Sequence, residues 1–262
     1  MARSRTKGGL LSIAALVVVA LVVTALSWLS ASRRPAALSS LPLPGAPAVR
    51  SAVYPGFDVS EYPGDATMRR VRDRAPYRFV GYYLVSDNHP GASWRGRWKA
   101  LAAMGWSVIV IYVGRQHDDL TDEQAQKDAV DAAEQAHAEG FPEGAIIYLD
   151  VEATDDLGDA LKAYANAWTR AVSANLRRPF RPGLYCHVKN ARALAEAVGA
   201  LDRDIPLWVA GGADFALDAP PGASGIASAT AWQGWLDVDD PTGTVGFPID
   251  VSTALSPTPS GF

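Results

Sequence analysis

Residues Ala145–Glu152 read AIIYLDVE, an apolar run that ends on two carboxylates two positions apart. Ile147, Leu149 and Val151 alternate with Tyr148, Asp150 and Glu152. Strand side chains point to opposite faces in turn, so each set has a face to itself. The first face suits packing against helices. The second carries Asp150 and Glu152 to the end of the strand, with Cα atoms ~6.6 Å apart at ~3.3 Å rise per residue. Covered strands that collect polar groups at their C-terminal ends are what a barrel wrapped by helices provides.

The same pattern recurs on both sides of this stretch. Upstream, short strands are predicted over Phe57–Ser60, Phe79–Val85 and Ser107–Gly114. Downstream they are predicted over Gly183–His187, Ile205–Ala210, Ala229–Leu236 and Phe247–Thr253. β-branched and aromatic residues dominate the surest of them. Helical stretches lie between: Ala66–Arg74, Trp94–Met104, the segment opened by Thr121, Leu157–Leu176 and Ala191–Val198. Thr121 with Gln124 fits a capping box, and Gly140 ends that helix. Asn190 is placed to cap Ala191–Val198, with Gly199 at its end. The seventh-to-eighth connection reads as a loop, which leaves the ring of helices incomplete.

Eight strands with helical crossovers in ~200 residues give an α/β fold of the (β/α)8 type. A doubly wound open sheet is the competitor. It lacks support, since neither GxGxxG nor GxxxxGK[ST] occurs.

In such a barrel the first strand ends with Asp58, the fourth with Asp150 and Glu152, and the eighth with Asp250, while the seventh carries Gln233. Strands one and eight are neighbours in a closed barrel, so the four carboxylates should converge. Like charges so close push one carboxyl to keep its proton. A protonated acid beside an ionised partner is what glycosidic bond cleavage uses. The plain alternative is a capping Asp150 and a solvated Glu152. Tyr83, Tyr112, Tyr185 and Trp208 lie on strands near their ends, where they could stack on sugar rings or fill the barrel. Arg115, just past the third strand, could hold a carboxylate such as a lactyl group, or sit in an ion pair. Cys186 lies within a strand and lacks a His–Asp pattern, so it reads as a buried, inert thiol.

These motifs, taken in order, resemble a known family. Phe57-Asp58-Val59-Ser60, Tyr148–Glu152, Trp232-Gln233 and Ile249-Asp250-Val251-Ser252 are similar to the motif series of the family 25 glycoside hydrolases, muramidase-type lysozymes that cut peptidoglycan glycan strands. The chain is more similar still to the glycoside-hydrolase-like domain of secreted actinobacterial proteins, long called domain of unknown function 1906. That likeness is in Gly56-Phe57-Asp58, Gly81-Tyr82-Tyr83 and the Tyr148–Glu152 segment, and it spans about residues 54–254. The resemblance implies that Glu152 is the general acid, Asp150 the second catalytic carboxylate, and Asp58 and Asp250 supporting acids. Asp150 could serve as nucleophile, base or orienter of an acetamido group. One departure concerns the rim: the muramidases usually show Gln-Gly soon after the first Asp-x-Ser, whereas Ser60 here precedes Glu61-Tyr62-Pro63-Gly64. The closer family has no settled activity, so a barrel that binds glycan or another ligand without cutting it stays open, as does a scaffold without a sugar ligand.

The ends of the chain differ from its body. Residues 8–32 carry no charge, and Leu10–Leu29 is a nearly unbroken apolar run. Twenty residues at ~1.5 Å rise cover ~30 Å, the thickness of a bilayer core. Ser30-Ala31-Ser32 offers only weak cleavage candidates. Residues 1–34 therefore read as an uncleaved signal-anchor helix with the barrel outside the cell membrane, a cleaved signal being the alternative. Residues 35–53 form a Pro-rich spacer, 54–255 the barrel, and 256–262 a flexible tail. With five basic residues and no acid in 1–40, the remainder holds 19 basic against 28 acidic residues, a net of −9. An acidic body of this kind argues against nucleic-acid binding. The one cysteine excludes an internal disulfide and a multi-cysteine metal site. His89, His117, His137 and His187 show neither HxH nor HExxH spacing, so no metal or cofactor is expected. The expected partners are cell-wall glycan and, through the anchor, the membrane; oligomeric state is left open.

Overall fold

The structure is a computed structural model that describes residues 52–262. The expected anchor over 1–34 lies outside the described residues, as does the spacer up to residue 51. Among the described residues no helix is long and apolar enough to cross a membrane.

Eight strands close into a barrel in sequence order. They are Tyr54–Asp58 (β1), Phe79–Tyr83 (β2), Ser107–Val113 (β3), Ile146–Val151 (β4), Arg181–His187 (β5), Leu207–Ala210 (β6), Ala229–Asp239 (β7) and Pro248–Ala254 (β8). Helices Asp65–Arg74 (α1), Trp98–Ala103 (α2), Asp122–Glu139 (α3), Asp159–Ala174 (α4) and Ala191–Val198 (α5) cover the crossovers between β1 and β6. Between β6 and β7 there is only a 3₁₀ turn, Pro221–Ser224. Thr121 accepts the Gln124 N–H at 3.1 Å and Gly140 closes α3 in the left-handed region, as the capping motif predicts. The helix expected over Trp94–Met104 is shorter. Asn190 does not cap α5 through its side chain; its amide donates instead to the carbonyls of Ala153 and Asp155, at 2.6 and 2.9 Å.

One expectation about direction is corrected. β8 runs antiparallel to both β7 and β1. No crossover helix separates β7 from β8, and a direct connection of this length joins antiparallel neighbours. Asp250 thus lies near the start of β8, not at its end. The reversal is what brings it to the mouth, where it pairs in register with Asp58.

Alternation divides the apolar residues into two layers. Phe79, Ile109, Ile111, Ile146, Tyr148, Trp208, Ala231 and Ala254 fill the barrel interior. Val80, Val108, Val110, Ile147, Leu149, Val151 and Leu184 face the helices, whose buried stripes include Ala129, Ala132, Ala136, Leu161, Trp168 and Leu194. The tail is not loose. Ser260 is fully buried; its hydroxyl accepts the Val110 N–H at 2.9 Å and its carbonyl the Ile146 N–H at 2.9 Å. The Pro259 carbonyl accepts the Tyr148 hydroxyl at 3.1 Å. Phe262 packs edge-on against Trp98, with centroids 5.1 Å apart. The last residues therefore stop the foot of the barrel and satisfy donors that β3 and β4 leave unpaired there.

Candidate active site

The C-terminal end of β1 carries Asp58 inward, into space that Gly81 of β2 leaves free. A Cβ on Gly81 would collide with the Cβ of Asp58, and it would meet Ile111 Cδ1 at 3.1 Å. Asp58 is buried and holds two donors: Tyr83 Oη at 2.8 Å and Gln233 Nε2 at 2.9 Å. Gln233 also reaches Asp250 at 3.4 Å and accepts the Tyr185 hydroxyl at 2.6 Å. Asp250 accepts the backbone N–H of Asp237 at 2.6 Å. Asp237 adopts a left-handed backbone, φ 49°, beside an irregularity in the β7–β8 pairing. Strain of this kind concentrates at functional sites.

Asp150, on β4, is 5% exposed, and its Oδ1 is buried without a hydrogen-bond partner. Glu152 follows β4 at the rim and is exposed. The β4 end is held by Gln116, which donates to the carbonyls of Asp150 and Gly114 at 3.0 and 3.2 Å and accepts the Glu152 N–H at 2.9 Å.

Burial raises the pKa of Asp58, and the neighbouring Asp250 adds to it. Burial holds Asp150 well above the ordinary carboxylate range, with Glu152 and Asp58 contributing in the same direction. Asp250 is raised as well, chiefly by burial. Tyr83 keeps its proton firmly, because burial and the adjacent Asp58 both oppose a phenolate. The site thus sets three carboxyls whose surroundings favour the protonated form beside an exposed one, Glu152.

The cleft that gathers these groups has a volume of about 370 Å³ and is lined by Asp58, Tyr83, Asp150, Glu152, Asp237 and Asp250, with Asn88 and His89 on one wall. The four carboxylates singled out from the sequence do converge, and Tyr83, Tyr185 and Gln233 join them. The other three binding candidates lie elsewhere. Tyr112 points outward from β3, stacked on Trp168 and donating to Asp131 at 3.1 Å, because residue parity on β3 puts it on the helix side. Arg115 pairs with Asp87 and with Asp128, the latter at 3.2 Å, and does not line the cleft. Trp208 is a buried floor below the site; it donates to Ser252 at 3.1 Å and packs edge-on against Tyr185. Cys186 is buried, and its thiol is pushed up to about 12. Among the described residues no group of three or more His, Cys, Asp or Glu is disposed to hold a metal ion.

Gln116, His89 and Asp237 were not signalled by the sequence. Gln116 and His89 lie in loops without a periodic pattern. Asp237 falls in the part of β7 beyond Leu236, where alternation breaks at the bulge.

Known structures share this architecture. An uncharacterized B. stearothermophilus protein matches at 22% identity over 77% of this chain and 95% of its own, with a TM-score of 0.58. The Clostridium perfringens spore cortex lytic enzyme SleM matches at 19% identity over 78% of this chain and 68% of its own, with a TM-score of 0.57. The Mycobacterium tuberculosis Tat-secreted protein Rv2525c, in complex with L-tartrate, matches at 16% identity over 79% of this chain and 97% of its own, with a TM-score of 0.51. At these identities the likeness is one of fold. No curated protein matches the sequence significantly. The model of the Rv2525c-like, glycoside hydrolase-like domain matches residues 70–244, in agreement with the resemblance carried by the strand-end motifs, and the chain belongs to that family.

Proposed function

We propose that the protein is an exported glycosidase acting on a cell-wall glycan of the peptidoglycan type. The observation that carries this reading is the convergence of Asp58, Asp150, Glu152 and Asp250 on one cleft, with Asp150 buried and Oδ1 unpartnered. Membership of a glycoside hydrolase-like family supports it, as does the fold shared with a spore cortex lytic enzyme. In this reading Glu152, at the open rim, protonates the leaving oxygen, while Asp150 faces the reacting sugar. The chain is held at the outer face of the membrane by its apolar N-terminal run.

Digestion of peptidoglycan tests the proposal. The wild type should release new reducing ends. Glu152→Gln and Asp150→Asn should each slow release by at least ~100-fold, the low end of what a positioned acid or base supplies. A glycoside with an activated leaving group needs no protonation, so it should restore turnover to the variant that lost the acid, expected to be Glu152→Gln.

One observation favours a second reading, that of a barrel that binds glycan without cutting it. Glu152 is exposed and its carboxylate makes no hydrogen bond among the described residues, whereas general acids are commonly held in drier surroundings. Sedimentation with insoluble wall fragments, without release of reducing ends, would establish that reading in place of the first.

A further inference from the structure

The two ends of the barrel differ in charge. The six loops that leave β1 to β6 at the mouth carry nine acidic residues against four basic ones. The loops that enter β2 to β7 at the foot carry Arg78, Arg177, Arg178 and Arg203 against Glu143, Asp202 and Asp204. The last turn of α1 adds Arg72, Asp73 and Arg74, and β5 opens on Arg181. Two of the foot acids are already engaged. Asp204 pairs with Arg181 at 3.2 Å, and Glu139, the last residue of α3, accepts the Tyr82 hydroxyl and the Gly96 N–H. The foot is thus basic in a body that is acidic as a whole.

The foot is also where apolar side chains reach solvent. Among the described residues the exposed large apolar side chains are Val130, Leu176, Leu201, Leu236 and Leu255. Leu176 lies in the loop before β5, Leu201 in the loop before β6, and Leu255 just after β8, all at the foot. A single exposed leucine is ordinary. Here the two most exposed, Leu176 at 91% and Leu201 at 79%, stand on neighbouring loops, one beside Arg177 and Arg178 and the other two residues before Arg203. The loops are braced. Arg181 reaches the carbonyl and the carboxylate of Asp204 at 3.4 and 3.2 Å, and Arg203 donates to Ser173 Oγ and Thr169 Oγ1 of α4, each at 3.3 Å. Beside Leu201 a cavity of about 770 Å³ opens where the crossover helix between β6 and β7 is missing. Leu207 and Ile226 line it, with Arg192, Glu196 and Asp202. Apolar surface and arginines therefore share one sector of the foot.

We propose that this sector is a docking surface for an anionic lipid bilayer. Leu176 and Leu201 enter the boundary between headgroups and acyl chains, and Arg177 and Arg178 meet the phosphates. The same negative surface repels the acidic loops of the mouth, so the contact turns the carboxylate cleft away from the membrane. A second copy of the chain, set foot to foot, would bring the arginines of both copies together, which disfavours that occupant. The contact is weak alone. It acts on a body already held at the surface, where the effective lipid concentration is high. The inference rests on the membrane anchor proposed above and not on the glycan reading.

The test places the full chain in vesicles of phosphatidylcholine, with or without phosphatidylglycerol. An environment-sensitive fluorophore is attached at Ala174→Cys, beside the foot leucines, or at Thr154→Cys, in a mouth loop. Both positions are exposed, and the native Cys186 is buried. Co-flotation with vesicles reports the anchor, and quenching by headgroup-nitroxide lipid reports the foot. The foot label should be quenched in vesicles containing phosphatidylglycerol and released by salt, while the mouth label stays unquenched. Leu176→Gln combined with Leu201→Gln should abolish the quenching without loss of flotation or of melting temperature, since both side chains are exposed. Arg177→Glu should weaken the contact about fivefold or more, as expected for losing one basic residue at an anionic surface. If the chain floats but the two labels are quenched alike, or the foot label is indifferent to phosphatidylglycerol and to the leucine variant, the docking surface is overturned and the anchor stands. A foot label that responds to protein concentration instead of lipid charge overturns it in favour of self-association. If the full chain does not float, the anchor and the docking surface fall together.

Discussion

Asp150 carries a tension between stability and use. It is a buried carboxyl with an unpartnered oxygen, next to Glu152 and Asp58. Its pKa is higher folded than unfolded, so the native state holds a proton that the unfolded chain releases. Stability therefore falls as pH rises above the ordinary carboxylate range, and is recovered below it. Asp150→Asn removes this dependence. The variant should melt at a higher temperature than the wild type at pH 7.5, and the two should coincide near pH 3.5. Thermal melts at the two pH values check this; an unchanged or lower melting temperature at pH 7.5 would contradict it. The carboxylates themselves were legible in the sequence because strand parity aims them and strand ends collect them. Tyr112 was a candidate only by its nearness to a strand end: on a strand buried on both faces, apolar and aromatic residues do not reveal which face is the interior. Arg115 was open to two readings, and its contact with Asp128 settled it as an ion pair.

At the scale of elements, the ordering of strands and helices was legible, since apolar runs and caps mark both. The direction of β8 was not. Nothing in Pro248–Ala254 distinguishes a parallel from an antiparallel strand; the distinction resides in the missing crossover before it. The tail was also misread, because proline and serine suggest looseness when their backbone partners are unknown. Removal of residues 256–262 should leave the Val110 and Ile146 N–H groups and the Tyr148 hydroxyl without their acceptors. At about 1–3 kcal/mol for each group left unsatisfied, the loss is roughly 3 kcal/mol or more, and the melting temperature should drop by about 6–12 °C. Calorimetry on the truncated chain decides it, and a drop under about 2 °C would mean that water replaces the tail.

For the whole molecule, charge and hydropathy separate along the chain: an apolar run flanked by Arg and Lys precedes an acidic body. If residues 1–34 anchor the protein, the full-length chain should pellet with membranes and a chain lacking them should stay in the supernatant. Fractionation followed by N-terminal sequencing checks this. A mature terminus near residue 32 in the culture medium would mean that the run is cleaved instead.

The reversed last strand has a consequence for clearance. Tyr54 and Ala254 are partners at the foot, and Asp58 and Asp250 are partners at the mouth. The four steps from Tyr54 to Asp58 along β1 put these two levels ~13 Å apart at ~3.3 Å per residue. The described chain therefore enters β1 and leaves β8 at the end remote from the carboxylates, so both strands deliver their acids to the mouth without either terminal segment of the described residues crossing it.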